Sequence, residues 1–173
     1  MATAALLAIN IQSCTTNGES AAGSTYDHSV DVPSREWRAQ DTLFFPITIS
    51  DEPEVRTSII RGTDYPVWCS IRMTSDYPFT TVPMTLIIQQ TDTTAQGGER
   101  VTRNLLRQHI EPAVRTPEGR PLGSSWGSLI QHEVQLDSLS LRFDSAGHYR
   151  MLLIPAVQGE VTLRGITSVG LSL

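Results

Sequence analysis

From about residue 33 onward, apolar side chains recur at every second position in short runs. Leu43, Phe45, Ile47 and Ile49 alternate with Thr42, Phe44, Pro46 and Thr48. Val67, Cys69, Ile71 and Met73 alternate with Trp68, Ser70 and Arg72, and Val82, Met84, Leu86 and Ile88 with Pro83, Thr85, Ile87 and Gln89. Ile130, His132, Val134 and Leu136 make a further set, followed by Tyr149, Met151 and Leu153, and then Val169, Leu171 and Leu173. A strand turns successive side chains to opposite faces, so this period predicts strands with one face on a core and one toward water. The runs are broken at Ser50-Asp51-Glu52-Pro53, Ser75-Asp76-Tyr77-Pro78, Gln96-Gly97-Gly98 and Asp144-Ser145-Ala146-Gly147, all rich in turn formers. Glu99–Ile110 fits either period, and its alternating Val101, Arg103, Leu105 and Arg107 favour a strand. Nineteen threonines favour strand over helix. The expected fold is all-β: an antiparallel β-sandwich, jelly-roll-like, over residues 33–173.

The chain is long enough for such a core. A domain near 150 residues buries roughly two thirds of its extended surface, and 39% of these 173 residues are hydrophobic. No apolar run approaches the roughly 20 residues that cross a bilayer as a helix. Thirteen basic against eighteen acidic side chains give a net charge of −5, which disfavours a nucleic-acid backbone as partner. All thirteen bases are arginine, with no cluster or stripe in the sequence to organise them.

The amino terminus reads differently. Residues 1–13 are apolar and rich in small side chains, and end at Ile11-Gln12-Ser13 before Cys14. A branched residue three places before a cysteine, and a small one just before it, match a bacterial lipoprotein signal in which the Cys14 thiol takes the lipid. No Lys or Arg precedes the apolar run, so the expected signal is a truncated one with its true start upstream. Thr15–Thr25 is small and polar, and residues 14–32 are expected to form a lipidated tether. Cys69 alternates inward with Val67 and Ile71, which predicts a small buried hydrophobe and no reactive thiol.

Several constellations invite a chemical reading. Gly123-Ser124-Ser125-Trp126-Gly127 spells G-x-S-x-G, with Asp144 and His148 following in the order of a hydrolase triad. That elbow works only where a strand enters and a helix leaves. Here Ser128–Leu136 leaves with period two, so no enzyme, and no catalytic residue, is expected. His28, His109, His132 and His148 lack metal-ligand spacing, and neither metal nor cofactor is expected. His28 falls in the expected tether, and His132 reads as a strand residue with a satisfied ring. Trp37 is expected to cap the sandwich, whereas Trp68, set against the inward residues, and Trp126, in a glycine-rich loop, are candidate ligand contacts.

Four stretches together carry a family likeness. They are Ile11–Cys14 with its tether and Trp37 ahead of Asp41-Thr42-Leu43-Phe44-Phe45; Asp76-Tyr77-Pro78-Phe79-Thr80-Thr81-Val82; Glu118–Gly127; and Gly165-Ile166-Thr167-Ser168-Val169-Gly170-Leu171. In this order and spacing the chain resembles the gliding motility-associated lipoproteins of the GldH family, from Bacteroidetes. It departs from their pattern at Ser168, where an acidic residue is expected, and at Pro121, where tryptophan is. The resemblance implies a lipid-anchored, non-enzymatic component of the cell envelope, associated with gliding machinery and acting on other envelope proteins. No acidic cluster follows Cys14, which points to an outer-membrane anchor facing the periplasm. A carbohydrate-binding β-sandwich module of an envelope lipoprotein is the alternative reading.

Overall fold

The computed structural model describes residues 26–49, 59–94, 97–156 and 162–173, and shows no α-helix among them. The strands are β1 (Asp27–Asp31), β2 (Glu36–Trp37), β3 (Leu43–Ile49), β4 (Asp64–Thr74), β5 (Met84–Thr93), β6 (Glu99–Ile110), β7 (Ser124–Trp126), β8 (Leu129–Arg142), β9 (Gly147–Pro155), β10 (Leu163–Arg164) and β11 (Ile166–Ser172). They build a five-stranded sheet, β1-β11-β4-β8-β7, and a four-stranded sheet, β3-β9-β5-β6; β10 and β2 pair apart. Every pairing is antiparallel. The chain switches sheets repeatedly, and the fold is the antiparallel β-sandwich that the alternation predicts.

The alternating positions meet between the sheets. Cys69, Ile71 and Met73 of β4 and Val169 and Leu171 of β11 face Leu86 and Ile88 of β5 and Met151 and Leu153 of β9, all buried. Register decides this: Cys69 stands opposite Leu171 on one side and Val134 on the other, so a slip by one residue would turn the whole row to water. Within β8 the expected inward set holds at its ends, where Ile130 and Leu136 are buried, whereas His132 and Val134 are half-buried.

The sheet begins earlier than residue 33. Asp27–Asp31, inside the expected tether, pairs residue for residue with Ser172–Ser168 of β11. Only His28 and Val30 point inward there, too few for the period to show in sequence. His28 is consequently a packing residue, its ring set edge-on against Phe45 with centroids 5.8 Å apart. The arginines also prove partly organised: Arg100, Arg103 and Arg107 lie exposed on β6, a sheet edge that pairs with β5 through two register breaks. Charge and bulges together guard a twelve-residue edge strand against pairing with another chain.

Three connections between sheets gather at one end of the sandwich: residues 38–42, 75–83 and 111–123. Trp37 closes the core there. It is fully buried, pairs with Leu163, and donates its indole N–H to the Asp41 carbonyl oxygen at 3.1 Å. The Asp41 carboxylate in turn accepts the Arg38 backbone N–H at 3.1 Å.

Two consequences can be measured. Trp37→Ala removes the largest fully buried side chain, and the expected loss is about 3–5 kcal/mol of unfolding free energy, read from denaturant midpoints. The second concerns pH. Burial holds the pKa of His28 below its ordinary value against the opposing charge of Asp27, and holds that of His132 down against a hydrogen bond to the Ala113 backbone. The unfolded chain therefore takes up these protons first as pH falls through about 6.5. The native state has its full contribution above that pH and loses it progressively down to the lowered native pKa values. A His28→Asn/His132→Asn double variant should show a flatter midpoint-against-pH profile across this window than the parent.

Candidate functional site

At this crossover end, one side chain ties two loops together, the connection after β4 and the one after β6. Arg115 donates from Nε to the Tyr77 carbonyl at 3.0 Å, from Nη1 to that of Gly119 at 3.0 Å and from Nη2 to that of Ser75 at 2.7 Å. The planar guanidinium presents a fixed fan of donors, so three carbonyls are held at once. Thr80 O accepts the backbone N–H groups of Val114 and Arg115, and Leu122 N donates to Val114 O. The loop after β6 is thus laced to the turn after β4. Tyr77 lies beneath, buried, with its hydroxyl on Thr81 O at 2.9 Å; burial raises its pKa.

Gly165 brings in a third segment. Its φ is +96°, its N–H donates to Arg35 O and its carbonyl accepts the Thr74 N–H, both at 2.8 Å. A Cβ there would lie 2.6 Å from Thr74 Oγ1, so only glycine allows this approach. Asp76 sits exposed on the turn. A hydrogen bond from the Thr74 side chain, its own backbone N–H, and the charges of Arg35 and Arg115 hold its carboxyl below the usual range. The stretches beginning at Asp76, Glu118 and Gly165, separate in the sequence, are therefore parts of one rigid end.

That end presents two large aromatics to solvent. Phe79 is 43% exposed, with its ring packed edge-on against Tyr77 at 5.6 Å, and Trp126 is 73% exposed. Trp126 lies on β7 opposite Leu129, which stands opposite Thr74, and Ser75 N donates to Ser128 O. The Trp126 hairpin is thereby fixed directly to the Tyr77–Phe79 turn. An exposed indole on a backbone this constrained loses little further freedom on contact with a partner.

The G-x-S-x-G match proves to be this hairpin. Ser125 pairs with Ile130, and the chain turns at Gly127-Ser128 into β8 with no helix following. Asp144 lies past the far end of β8, where its carboxylate accepts from Arg142 Nε at 3.1 Å. His148 is on the other sheet, with Nδ1 3.3 Å from Thr48 Oγ1. Some twelve residues of strand, roughly 40 Å, separate Ser125 from Asp144, and the three groups do not meet. Among the described residues no group of three His, Cys, Asp or Glu side chains could hold a metal ion.

Trp68 occupies different ground. It is half-buried on the outer face of the five-stranded sheet, between Ser172 of β11 and Gln135 of β8. By strand parity Trp126 belongs to the same outer face, six residues along in β4 register and two strands across. The two candidate aromatics thus share a face but not a pocket. Cys14 lies outside the described residues. Cys69 is buried, and burial pushes its thiol up to about 12, leaving it neutral and inert at ordinary pH. Nothing in the sequence marked Arg115 for its role: its partners are backbone carbonyls, to which any residue contributes equally.

A family 35 carbohydrate-binding module from Clostridium thermocellum superposes with a TM-score of 0.31 at 8% identity, over 83% of this chain and 97% of that one. No curated protein matches the sequence. A family model described as GldH lipoprotein matches residues 24–173, and the chain belongs to the GldH lipoprotein family.

Proposed function

We propose that this protein is a non-enzymatic component of gliding-type envelope machinery, tethered through a diacylated Cys14 to the outer membrane, facing the periplasm, and that it works by contact through its crossover end. Family membership supports a lipid-anchored envelope protein. The mode of action rests on one observation: Trp126 is 73% exposed on a hairpin that the Tyr77 turn and its Arg115 ties hold still. Exposed tryptophans on rigid supports are the side chains that anchor protein–protein contacts.

The direction of the chain suits that arrangement. Tyr26 meets the carboxyl terminus, where Leu173 N donates to Tyr26 O at 3.0 Å, and β1 then runs from Asp27 toward Asp31. In register, Asp27 shares the row of Ser172 and Trp68, and Thr74 lies six residues further along β4. That is about 20 Å of strand. A tether entering at Tyr26 therefore leaves the crossover end pointing away from the anchored side. One acyl chain binds a membrane only marginally and two hold stably, which is the chemistry a lipoprotein cysteine supplies.

Two measurements test this. Metabolic labelling with a clickable fatty acid, in a chain carrying its full signal, should label the parent and not Cys14→Ala; an unlabelled parent removes the anchor. For the contact surface, crosslinking in intact cells should yield envelope-protein adducts that Trp126→Ala and Phe79→Ala deplete. An interface anchor contributes about 2 kcal/mol or more, so affinity should fall roughly thirtyfold for Trp126→Ala. Unchanged adducts in both variants would place the contact elsewhere.

A further inference from the structure

An edge strand presents unpaired backbone donors and acceptors to any chain that can reach it, and proteins guard such edges. Among the described residues the sandwich has four: β1 and β7 in one sheet, β3 and β6 in the other. Three carry a guard. β6 has its arginines and two register breaks. β7 is three residues long, and β8 beyond it breaks register after Gln135. On β3 the guard is Pro46. Ala156 N donates to Pro83 O in register with the β5–β9 ladder, so even-numbered residues of β9 bond to β5 and odd-numbered ones to β3. Pro46 stands opposite Arg150, so its nitrogen faces the free edge, where an added strand would need a donor.

β1 has none of these guards. It pairs with β11 over Asp27–Asp31 without a register break, and it holds no proline, lysine or arginine. The bonds at its two ends fix which groups point where. Leu173 N donates to Tyr26 O and Val32 N to Thr167 O, both in the register of the ladder. Bonded and non-bonded pairs alternate between antiparallel strands, so Tyr26, His28, Val30 and Val32 direct their backbone groups at β11. Ser29 and Asp31 turn N–H and C=O to the open side, two residues apart, the spacing that an added strand reads.

The side chains decide what kind of strand fits. Asp27, Ser29 and Asp31 are exposed on the outer face, while His28 and Val30 are half-buried toward the core. An added antiparallel strand sets its own residues opposite these, on the same faces. With one residue opposite Ser29, those two before and two after it stand opposite the aspartates. A second copy of β1 paired about Ser29 would set aspartate against aspartate at both ends, and an acidic strand would do the same, both unfavourable. Lysine or arginine at those two positions meets carboxylates instead. The residues between fall beside Val30 and His28, where the His28 ring rests on Phe45, and apolar side chains there extend the core. We propose that β1 is a docking edge for an extended segment of a partner protein with the pattern basic–apolar–any–apolar–basic, added to the five-stranded sheet beyond β1. The contact requires neither a lipid at Cys14 nor Trp126, so its failure and that of the reading above are separable.

The test uses the full chain in solution with a labelled peptide, acetyl-Thr-Arg-Val-Thr-Val-Arg-Thr-amide, followed by fluorescence anisotropy and by hydrogen exchange at the Ser29 and Asp31 amides. The peptide should bind and slow exchange at both. Ser29→Pro removes the central edge donor and leaves the ladder to β11 in place, as Pro46 does on β3; it should weaken binding about tenfold or more with the denaturant midpoint retained. The same loss should follow with the protein unaltered when the peptide's central amide, which faces Ser29 O, is methylated. Methylating a valine amide, which faces away, should leave binding in place. Asp31→Asn should weaken binding about two- to fivefold, and replacing both peptide arginines by glutamate about tenfold or more. No binding of the arginine peptide, equal binding of the glutamate peptide, or full binding by Ser29→Pro or by the centrally methylated peptide would overturn the proposal. So would a dimer of the parent that Ser29→Pro dissolves, since that assigns the edge to a second copy.

Discussion

Everything outside the core of this protein is positioned by the register of what lies inside it. Cys69, Ile71, Met73, Val169 and Leu171 interlock with Leu86, Ile88, Met151 and Leu153 across the two sheets, and no single-residue slip preserves more than one face of that arrangement. Once the inner rows are set, the outer rows have no freedom left. Trp68 and Arg72 must stand beside Ser172 and Ser168, and Trp126 must project beyond Leu129. Surface chemistry here is a by-product of core packing. The buried alternation on β4 and β11 thus decides what their outer faces present.

The crossover end adds a second level of order. Sheet-switching connections carry backbone polar groups that no ladder satisfies, and each needs a partner. Hydrogen bonds between the connections themselves meet much of that need: Val114 and Arg115 on Thr80 O, Thr74 on Gly165 O, Gly165 on Arg35 O, Ser75 on Ser128 O. Arg115 takes three further carbonyls. Loops that satisfy one another in this way are rigid, and a rigid loop cluster is where a contact surface costs least entropy to use. The connections 75–83 and 111–123, tied to each other, thereby give this end of the molecule a chemistry of its own, while the β8–β9 connection at Phe143–Ala146 switches sheets at the other.

Much of this was legible beforehand, for a reason that also marks the limit. Period two in Leu43–Ile49, Val67–Met73 and Tyr149–Leu153 is a local signal, written within seven residues, and it gave both the strands and their inward faces. Trp37 was readable as a cap and Cys69 as a buried hydrophobe on the same ground. β1 escaped because two inward residues make no period. The arginines of β6 escaped because their sharing of one exposed edge is a fact about pairing. Arg115 could not be found from its neighbours, since its partners are carbonyl oxygens that carry no residue identity. Local periodicity is visible in a sequence; sites made by juxtaposition are not.

The same contrast explains why the G-x-S-x-G match misleads. A five-residue pattern is local, and so is satisfied by chance, but a nucleophile elbow is defined by what precedes and follows it in three dimensions. Here Gly127 carries a φ of +62° and Gly123 one of +87°. They serve to seat β7 against β8: a Cβ at Gly123 would fall 2.2 Å from the Gln131 carbonyl oxygen. The glycines that spell a catalytic motif are present because a short edge strand must lie flush on its neighbour before turning back. That close seating is also what lifts Trp126, the motif's fourth residue, clear of the sheet. The sequence match and the exposed indole therefore belong to one hairpin, built for seating on β8 and not for nucleophilic chemistry.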